Sequence, residues 1–420
     1  MSGAGLAGAA VLGASGCGGG GGGSNNLIFS MGPDDTKKTM SRLVDKFNKQ
    51  SKDFKVTYRV MPSDTGQYFD KIRTQFQAAS ADIDVIGGDV IWPAQFAANG
   101  WIADLTDKFP KSEQSKFLKA PIDSVTYQGK VYGVPWYTDA GMLYYRKDLL
   151  EKSGYSGPPK TWDELQEMAA KVSKDQGTKY GFVFQGDQYE GGVCDGLEYV
   201  WTNGGDVLDP KDPNKVIIDS PESAAGLAAE RSMLSSGAAP QAVSTYQEAE
   251  TDAAFFQDPG NAVFARQWPY GYAYLDTKGY LKQDQVGVGP LPVDEGYPLA
   301  SCLGGWDMLI NAQSDMQEEA WEFIKFMTSP EQLKFRAVKA TVLPTRSALL
   351  TDPEIEKIPV VSQGRPAIEH THPRPVSPYY SDMSLEMNEQ FNACLKGDVS
   401  PEQAVKTLQK NLETIVEAGS

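Results

Sequence analysis

Residues 161–185 read TWDELQEMAAKVSKDQGTKYGFVFQ and place a helix directly before a β-type run. Thr161 and Glu164 have the spacing of a capping box, in which the two side chains satisfy free backbone N–H groups at a helix start. The apolar residues that follow recur at helical spacing and are Leu165, Met168, Ala169 and Val172. Residues 181–185 then read as a strand. A helix followed at once by a strand indicates an α/β fold.

The same alternation continues along the chain from residue 26. Further runs with strand character are residues 27–30, 56–61, 84–87, 262–265, 286–289 and 307–310. Ser-Pro-Glu sequences at Ser220, Ser329 and Ser400 each predict an N-cap serine followed by proline at the first helical position. The last helix is predicted from Val405, Leu408, Leu412, Ile415 and Val416. The pattern predicts two α/β lobes, with a ligand crevice outside the carboxyl ends of the strands.

Composition excludes several classes of function. The chain has 420 residues and a net charge of −16, which argues against nucleic acid or an anionic membrane surface as a partner. The only histidines, His370 and His372, leave little room for a catalytic triad that uses imidazole as its base. The cysteines are widely scattered and are Cys17, Cys194, Cys302 and Cys394. Their spacing predicts no metal site, and at most one disulfide could join two of the last three.

The amino terminus resembles the signal peptide of a bacterial lipoprotein. Small residues precede Cys17, as in a lipobox, and the glycine run 18–23 follows it as a flexible tether. Ala14 stands where leucine is usual. We therefore expect residues 1–26 to be signal peptide and tether, lipidation at Cys17, and a location on the outer face of the cytoplasmic membrane.

Aromatic and acidic residues concentrate in stretches that look like loops, at residues 89–92, 136–139, 188–190, 268–270, 304–306 and 372–380. Aromatic rings stack on the C–H faces of a sugar ring, and charged side chains bind its hydroxyls. The ligand-binding role of two of these residues stays open, because Trp92 could belong to the core and Asp89 could cap the next helix. Trp101, Trp321 and one of the Tyr144–Tyr145 pair are expected to be packing residues.

Several longer stretches carry a family resemblance, among them 89–105 (DVIWPAQFAANGWIADL), 137–152 (YTDAGMLYYRKDLLEK), 266–272 (RQWPYGY), 303–310 (LGGWDMLI) and 373–380 (PRPVSPYY). With these, the chain resembles the extracellular solute-binding proteins of ABC sugar importers, specifically the trehalose/maltose-binding group. The resemblance implies a periplasmic-binding-protein-like α/β fold of the maltose-binding-protein type, with two lobes joined by a multi-crossover hinge. It implies an N-terminal lobe of residues 27–140 and about 308–350, and a C-terminal lobe of 141–307 and about 351–420.

The resemblance also implies the ligand-binding residues, which are Asp35, Thr65, Asp89, Tyr137, Asp139, Glu190, Trp268, Tyr270, Gly304, Gly305, Trp306 and Arg374. Asp89 and Asp139 would grip sugar hydroxyls. Trp268 and Tyr270 would form a stacking pair, and Trp306 a third aromatic wall.

The remaining positions have less direct roles. Gly304 and Gly305 would offer backbone groups, and Arg374 would bind hydroxyls near the hinge. The contact assigned to Asp35 could equally fall on Asp34. An arginine that the family has shortly after the position of Thr65 is replaced by the stretch 68–70 (YFD), and we therefore expect one sugar subsite to differ from that for maltose or trehalose.

These features predict a substrate-binding lipoprotein, monomeric and without catalysis, cofactor or metal. It would capture a disaccharide by hinge closure and deliver it to the membrane subunits of an ABC importer. One alternative is a secreted carbohydrate-active hydrolase that uses two cleft carboxylates. Another is a metal or siderophore receptor, using His370 and His372 or the pair Tyr379–Tyr380.

Overall fold

The computed structural model describes residues 25–35, 37–294 and 296–419. The predictions for Cys17 and the glycine run lie outside these residues. In the described part of the chain, the helices are all too short or too polar to cross a membrane.

Strands and helices alternate along most of the chain. The strands are β1 (Asn26–Met31), β2 (Lys55–Val60), β3 (Val85–Asp89), β4 (Thr126–Tyr127), β5 (Lys130–Val131), β6 (Gly133–Ala140), β7 (Met142–Arg146), β8 (Tyr180–Val183), β9 (Leu208–Asp209), β10 (Asp212–Val216), β11 (Ala262–Gln267), β12 (Val286–Gly289), β13 (Ser301–Ile310), β14 (Leu343–Pro344) and β15 (Thr371–His372). The helices are α1 (Thr39–Gln50), α2 (Thr65–Gln77), α3 (Pro93–Ala98), α4 (Lys111–Gln114), α5 (Lys119–Ser124), α6 (Lys147–Lys152), α7 (Trp162–Gln176), α8 (Glu190–Thr202), α9 (Pro221–Ser235), α10 (Glu248–Phe255), α11 (Gln317–Met327), α12 (Pro330–Ala340), α13 (Pro359–Ser362), α14 (Arg365–Glu369), α15 (Tyr380–Lys396) and α16 (Pro401–Gly419). Three short 3-10 helices span Gln241–Thr245, Pro269–Tyr274 and Ser347–Thr351.

The larger sheet collects strands from distant parts of the chain. Its order is β14-β6-β13-β3-β1-β2, and β15 pairs with β13 in addition. Strand β1 is parallel to β2 and β3, whereas β13 is antiparallel to β3 and β6. The central position of β13 therefore brings residues near 305 beside residues near 89 and 138.

The smaller sheet has the order β12-β7-β11-β8. The chain passes from the larger sheet to the smaller one at Gly141, the single residue between β6 and β7. A Cβ atom at this position would lie 1.9 Å from an Oε atom of Glu198, so only glycine fits the crossing. The lobe boundaries drawn from the sequence stay a prediction.

The stretch 161–185 forms the helix and strand that its pattern predicts. The Thr161 hydroxyl accepts a hydrogen bond from the N–H of Glu164. The Glu164 carboxylate accepts from the N–H of Lys160 at 2.7 Å, one residue earlier than a capping box requires. The four predicted apolar residues of α7 are all buried, and Gly177 ends the helix in a left-handed conformation with φ 70°.

Each of the three serines directly precedes a helix that begins at proline, as predicted, but only two of them form the side-chain cap. Ser220 and Ser400 accept hydrogen bonds from the N–H groups of Ser223 and Gln403. Ser329 instead donates to the carbonyl of Phe326 at 2.8 Å. Only two residues separate α11 from α12, so its hydroxyl serves the end of the first helix.

The structure corrects the prediction of loops for two of the aromatic and acidic stretches. Residues 136–139 lie within β6, and residues 304–306 lie within β13. Trp136 and Thr138 are buried, while Tyr137 and Asp139 are partly exposed. Successive side chains of a strand point to opposite faces, so one face of β6 builds the core and the other remains available to a ligand.

Candidate ligand-binding site

A cavity of about 630 Å³ is lined by strands of the larger sheet and by helices that pack beside the smaller one. All twelve residues implied by the resemblance contribute to its wall, namely Asp35, Thr65, Asp89, Tyr137, Asp139, Glu190, Trp268, Tyr270, Gly304, Gly305, Trp306 and Arg374. Pockets of this size with aromatic walls and a few polar groups are typical of small-molecule sites. Ligand contact by these residues stays a prediction.

The glycine pair of β13 makes room for an aromatic side chain. A Cβ atom on Gly304 would approach the Trp268 ring to 3.0 Å. Gly305 has φ 123°, and a Cβ atom there would lie 2.4 Å from the carbonyl oxygen of Tyr137. Glycine is therefore required for β13 to pass this close to Trp268 and to β6.

Trp306 forms a second aromatic wall, supported from behind by core residues. Its ring stacks with that of Tyr68 at 5.8 Å and meets the edge of Trp92 at 5.5 Å. Trp92 is only 3% exposed, which settles it as a core residue. Tyr68 is fixed in turn, because its hydroxyl donates toward the carbonyls of Ser30 and Gly87.

Arg374 connects two acidic residues from different parts of the chain. Its Nη2 donates to Asp89 on β3 at 2.9 Å, and its Nη1 donates to Glu190 at the start of α8 at 2.6 Å. Asp89 also accepts from the N–H of Ile91, and it does not cap α3, whose N-cap residue is Trp92. The guanidinium group predicted to bind sugar hydroxyls is thus already held by two carboxylates.

Glu190 accepts two further hydrogen bonds from the C-terminal segment. The hydroxyl of Tyr380 donates to it at 2.6 Å, and that of Ser384 at 2.5 Å. Three of the roughly four acceptor positions of its carboxylate are used by the protein, so Glu190 holds Arg374 and α15 in place.

Trp268 lies between a buried cation and an acid. The Arg266 guanidinium lies over its ring at 3.9 Å, a favourable cation–π geometry. On the ring edge, Nε1 faces an oxygen of Glu248 at 3.3 Å. The indole is half-buried and lines the cavity, so its position is fixed before a ligand arrives.

Helix α10 supplies two acidic residues to the cavity wall that were not predicted from the sequence. Glu248 and Asp252 are one turn apart and face the cavity together. The Tyr189 hydroxyl donates to Glu248 at 2.8 Å, and the Tyr270 hydroxyl donates to Asp252 at 3.0 Å. These carboxylates orient the aromatic wall. Their i,i+4 spacing, which places both on one helix face, is the sequence pattern that could have identified them.

Arg336 on α12 is a third residue that was not predicted from the sequence, and it brings a cation to the wall of the cavity. Its guanidinium lies over the rings of Trp136 and Tyr137, at 4.0 and 4.5 Å. It is 3% exposed, and its Nη1 has no hydrogen-bond partner in the described part of the chain. The family's arginine near Thr65 has no counterpart there, because Tyr68 and Phe69 are buried in the core instead.

Asp34 and Asp35, the two candidates for one acidic ligand contact, both bind backbone N–H groups of the protein. Asp34 accepts from the N–H groups of Met40 and Ser41, and Asp35 accepts from those of Lys37 and Thr39. Both carboxylates therefore stabilise the first turn of α1. They remain in the cavity wall, but their oxygens are largely committed to this helix.

Burial changes the acidity of the cavity carboxyl groups. Desolvation raises the pKa of Asp139 to about 8 and that of Asp252 to about 7. Desolvation also raises the pKa of Asp89, although Arg374 acts in the opposite direction. A protonated Asp139 can donate a hydrogen bond to a ligand hydroxyl as well as accept one.

The alternative metal site is not supported by the geometry of its histidines. His370 places Nδ1 2.9 Å from the Pro366 carbonyl, whereas His372 stacks on Trp201 at 4.3 Å. Over residues 25–35, 37–294 and 296–419, no three His, Cys, Asp or Glu side chains are grouped so as to hold a metal. Tyr380 of the alternative tyrosine pair is bound to Glu190.

The three described cysteines, Cys194, Cys302 and Cys394, are free and buried. The possible disulfide among them is therefore not formed in this structure.

Sequence comparison identifies a family. Residues 33–334 match the family described as bacterial extracellular solute-binding protein. A "probable ABC transporter-binding protein" of Deinococcus radiodurans is 35% identical over 350 residues, which cover 81% of this chain and 82% of that protein. The maltotriose-binding protein of Pyrococcus abyssi is 26% identical over 292 residues, 68% of this chain and 60% of that protein.

Structural comparison agrees with the sequence match. The maltose-bound MalE3 of T. maritima superimposes with a TM-score of 0.87 at 38% identity, covering 93% of this chain and 99% of that one. The prediction of a maltose-binding-protein type of α/β fold is confirmed.

Proposed function

The chain belongs to the bacterial extracellular solute-binding protein family, and on that premise we propose that it captures a disaccharide of the maltose or trehalose type for an ABC importer. The observation that carries this proposal is the convergence of Trp268, Tyr270, Trp306 and Asp139 on one cavity. These residues come from three separate regions of the sequence, and they combine aromatic faces with a hydroxyl-binding carboxyl group.

The chemistry of the wall suits a sugar. The C–H faces of a pyranose would stack on the half-buried rings of Trp268 and Trp306. Its hydroxyls would bond to Asp139 and to the free lone pairs of Asp89. Maltose in the T. maritima relative supports this ligand class.

Hinge closure would couple binding to transport. In the proposed division, residues 27–140 and about 308–350 form one lobe, and 141–307 and about 351–420 form the other. A sugar between Asp139 of the first lobe and Trp268 of the second would contact both lobes only when they are closed, and would stabilise that state. The closed monomer would then dock on the importer's membrane subunits.

Two further parts of the proposal concern attachment and catalysis. Lipidation of Cys17 would hold the protein at the outer face of the cytoplasmic membrane. The protein would release its sugar unchanged, as its relatives are solute-binding proteins and not enzymes.

A thermal-shift screen tests the proposal. Maltose, trehalose and sucrose would be added to the purified chain, and a ligand at about 100 times its Kd should stabilise the fold by about 2.7 kcal/mol. The same sugars would be analysed for released monosaccharide. Stabilisation without hydrolysis is the expected result, and turnover would favour the hydrolase alternative.

A further inference from the structure

Two of the three described cysteines lie side by side. Cys194 belongs to α8 and Cys302 to the start of β13, and both pack in one apolar cluster with Leu197 and Tyr380. The Cys194 thiol donates a hydrogen bond toward the sulfur of Cys302. Both side chains are at most 2% exposed, so the two sulfur atoms face each other inside the protein.

The position of Cys302 beside α8 is fixed by Glu198. This residue follows Cys194 by one helical turn and lies on the same face of α8. Its carboxylate accepts from the N–H of Cys302 at 2.8 Å and is itself held by two hydrogen bonds from Arg266. The buried ion pair therefore sets the approach of β13 to α8, and this approach brings the two thiols together.

The third described cysteine, Cys394, has different surroundings. Burial raises its pKa to about 12, and the charged groups that act on this pKa include Glu230 and Arg231 of α9. Cys194 instead lies at the wall of the ligand cavity, together with Arg374. Of the possible pairs among the three cysteines, the structure therefore supports Cys194 with Cys302.

We propose that Cys194 and Cys302 are joined by a disulfide in the exported protein, and that the described structure is its reduced form. The family is extracellular, and disulfides form and persist in such oxidising surroundings. In the folded chain, the hydrogen bond to Cys302 and burial raise the pKa of Cys194 well above its usual range. The reactive thiolate is then scarce, so the bond forms during folding, while both thiols are accessible.

The reaction is a thiol–disulfide exchange with an oxidant that is itself a disulfide. One cysteine, as its thiolate, attacks a sulfur of the oxidant, forms a mixed disulfide and releases one thiolate. The second cysteine attacks the sulfur of the first and releases the other. Two protein thiols thus lose two electrons and two protons, and the oxidant is reduced to two thiols. The product joins α8 covalently to β13, just before Gly304.

Export of a Cys17→Ala chain to the periplasm of a bacterial host tests this proposal, because the substitution removes the predicted lipidation site. Free thiols are alkylated in denaturant without reduction, and the digested chain is analysed by mass spectrometry. We expect a mass lower by two hydrogen atoms, alkylation of Cys394 alone, and linked peptides that contain Cys194 and Cys302. The same chain retained in the reducing cytoplasm should have three alkylated cysteines.

Single substitutions in the exported chain separate the possible pairs. Cys394→Ser should keep the disulfide, whereas Cys302→Ser should leave both remaining thiols free. The exported parent chain should also unfold about 5 °C above the same chain after reduction, because the bond constrains the unfolded state. Three free thiols in the exported parent chain, or a linkage that includes Cys394, would overturn the proposal. The peptide map of the parent chain decides this even where a variant does not fold.

Discussion

The guanidinium group of Arg266 lies 3.9 Å from the centre of the Trp268 ring, directly beneath the wall of the cavity. Arg266 is held by Glu198, which accepts from its Nε at 2.9 Å and its Nη2 at 2.8 Å. Glu198 also accepts from the N–H of Cys302 on β13 at 2.8 Å. The orientation of Trp268 therefore depends on a buried ion pair that contacts both sheets near Gly141.

Glu198→Gln should destabilise the fold strongly. Both partners of the pair are 2% exposed, so the change leaves a buried cation with less compensation. We expect a loss of about 3–5 kcal/mol in the free energy of unfolding, measured by urea denaturation. Glu331→Gln is the control, because its pair with Lys46 is exposed and should contribute less than about 1 kcal/mol. Similar losses in the two variants would contradict this account of the pair.

Gly304→Ala should weaken sugar binding more than it weakens the fold. The added Cβ atom would lie 3.0 Å from the Trp268 ring and displace it from its position over Arg266. We expect about a tenfold loss of affinity by calorimetry. Gly157→Ala is the control, since a Cβ atom there meets no other atom within 4 Å. Wild-type affinity in Gly304→Ala would show that the space beside the indole is not required.

The fold was predicted from local sequence patterns, namely capping residues and the spacing of apolar residues. The capping residue Thr161 and the periodic apolar residues of α7 interact within one or a few helical turns. The helix can therefore be predicted from its own residues, without knowledge of the remaining chain. The stretches 136–139 and 304–306 were mistaken for loops. Gly304, Gly305 and Asp139 are residue types that are depleted in strands, and the pairing between β6 and β13 is a long-range contact with no local signal.

Some residues of the candidate site could be predicted from the sequence, and others could not. Residues that match a position in the family, such as Trp268 and Asp139, were predicted to belong to the site, and they line the cavity. Arg336 could not, because in sequence it is one more basic residue of a helix. Its place over Trp136 arises from the packing of α12 on the larger sheet, a long-range contact with no local signal.

Asp139 should make stability depend on pH. Its pKa of about 8 in the folded state exceeds the ordinary value of 3.8. Between these values the folded chain binds a proton that the unfolded chain has released, so this residue's contribution to the free energy of unfolding falls as pH rises. Asp139→Asn lacks this contribution. We therefore expect the stability of the variant relative to wild type to increase between about pH 5 and about pH 8.

Urea denaturation at several pH values measures this difference. Asp53→Asn, at an exposed position, is the control for the loss of a carboxyl group outside the cavity. A difference for Asp139→Asn that is constant across the range would contradict a raised pKa.

The three described cysteines should react only after unfolding. Cys194, Cys302 and Cys394 are at most 2% exposed and free. In a Cys17→Ala chain produced in the cytoplasm, we expect little reaction with a thiol reagent under native conditions and three equivalents in denaturant. A mass lower by two hydrogen atoms before reduction, with one reactive thiol in denaturant, would instead demonstrate a disulfide.

The most direct test of the central claim is calorimetric titration of maltose and trehalose into the wild-type chain, Trp268→Ala and Asp139→Ala. The account predicts that at least one sugar binds the wild type, and that each substitution weakens this binding by about 2–4 kcal/mol while the thermal unfolding of the chain remains cooperative. Tyr297→Ala, outside the cavity, should bind as the wild type does. Unchanged sugar affinity in both cavity variants would contradict the assignment of this site.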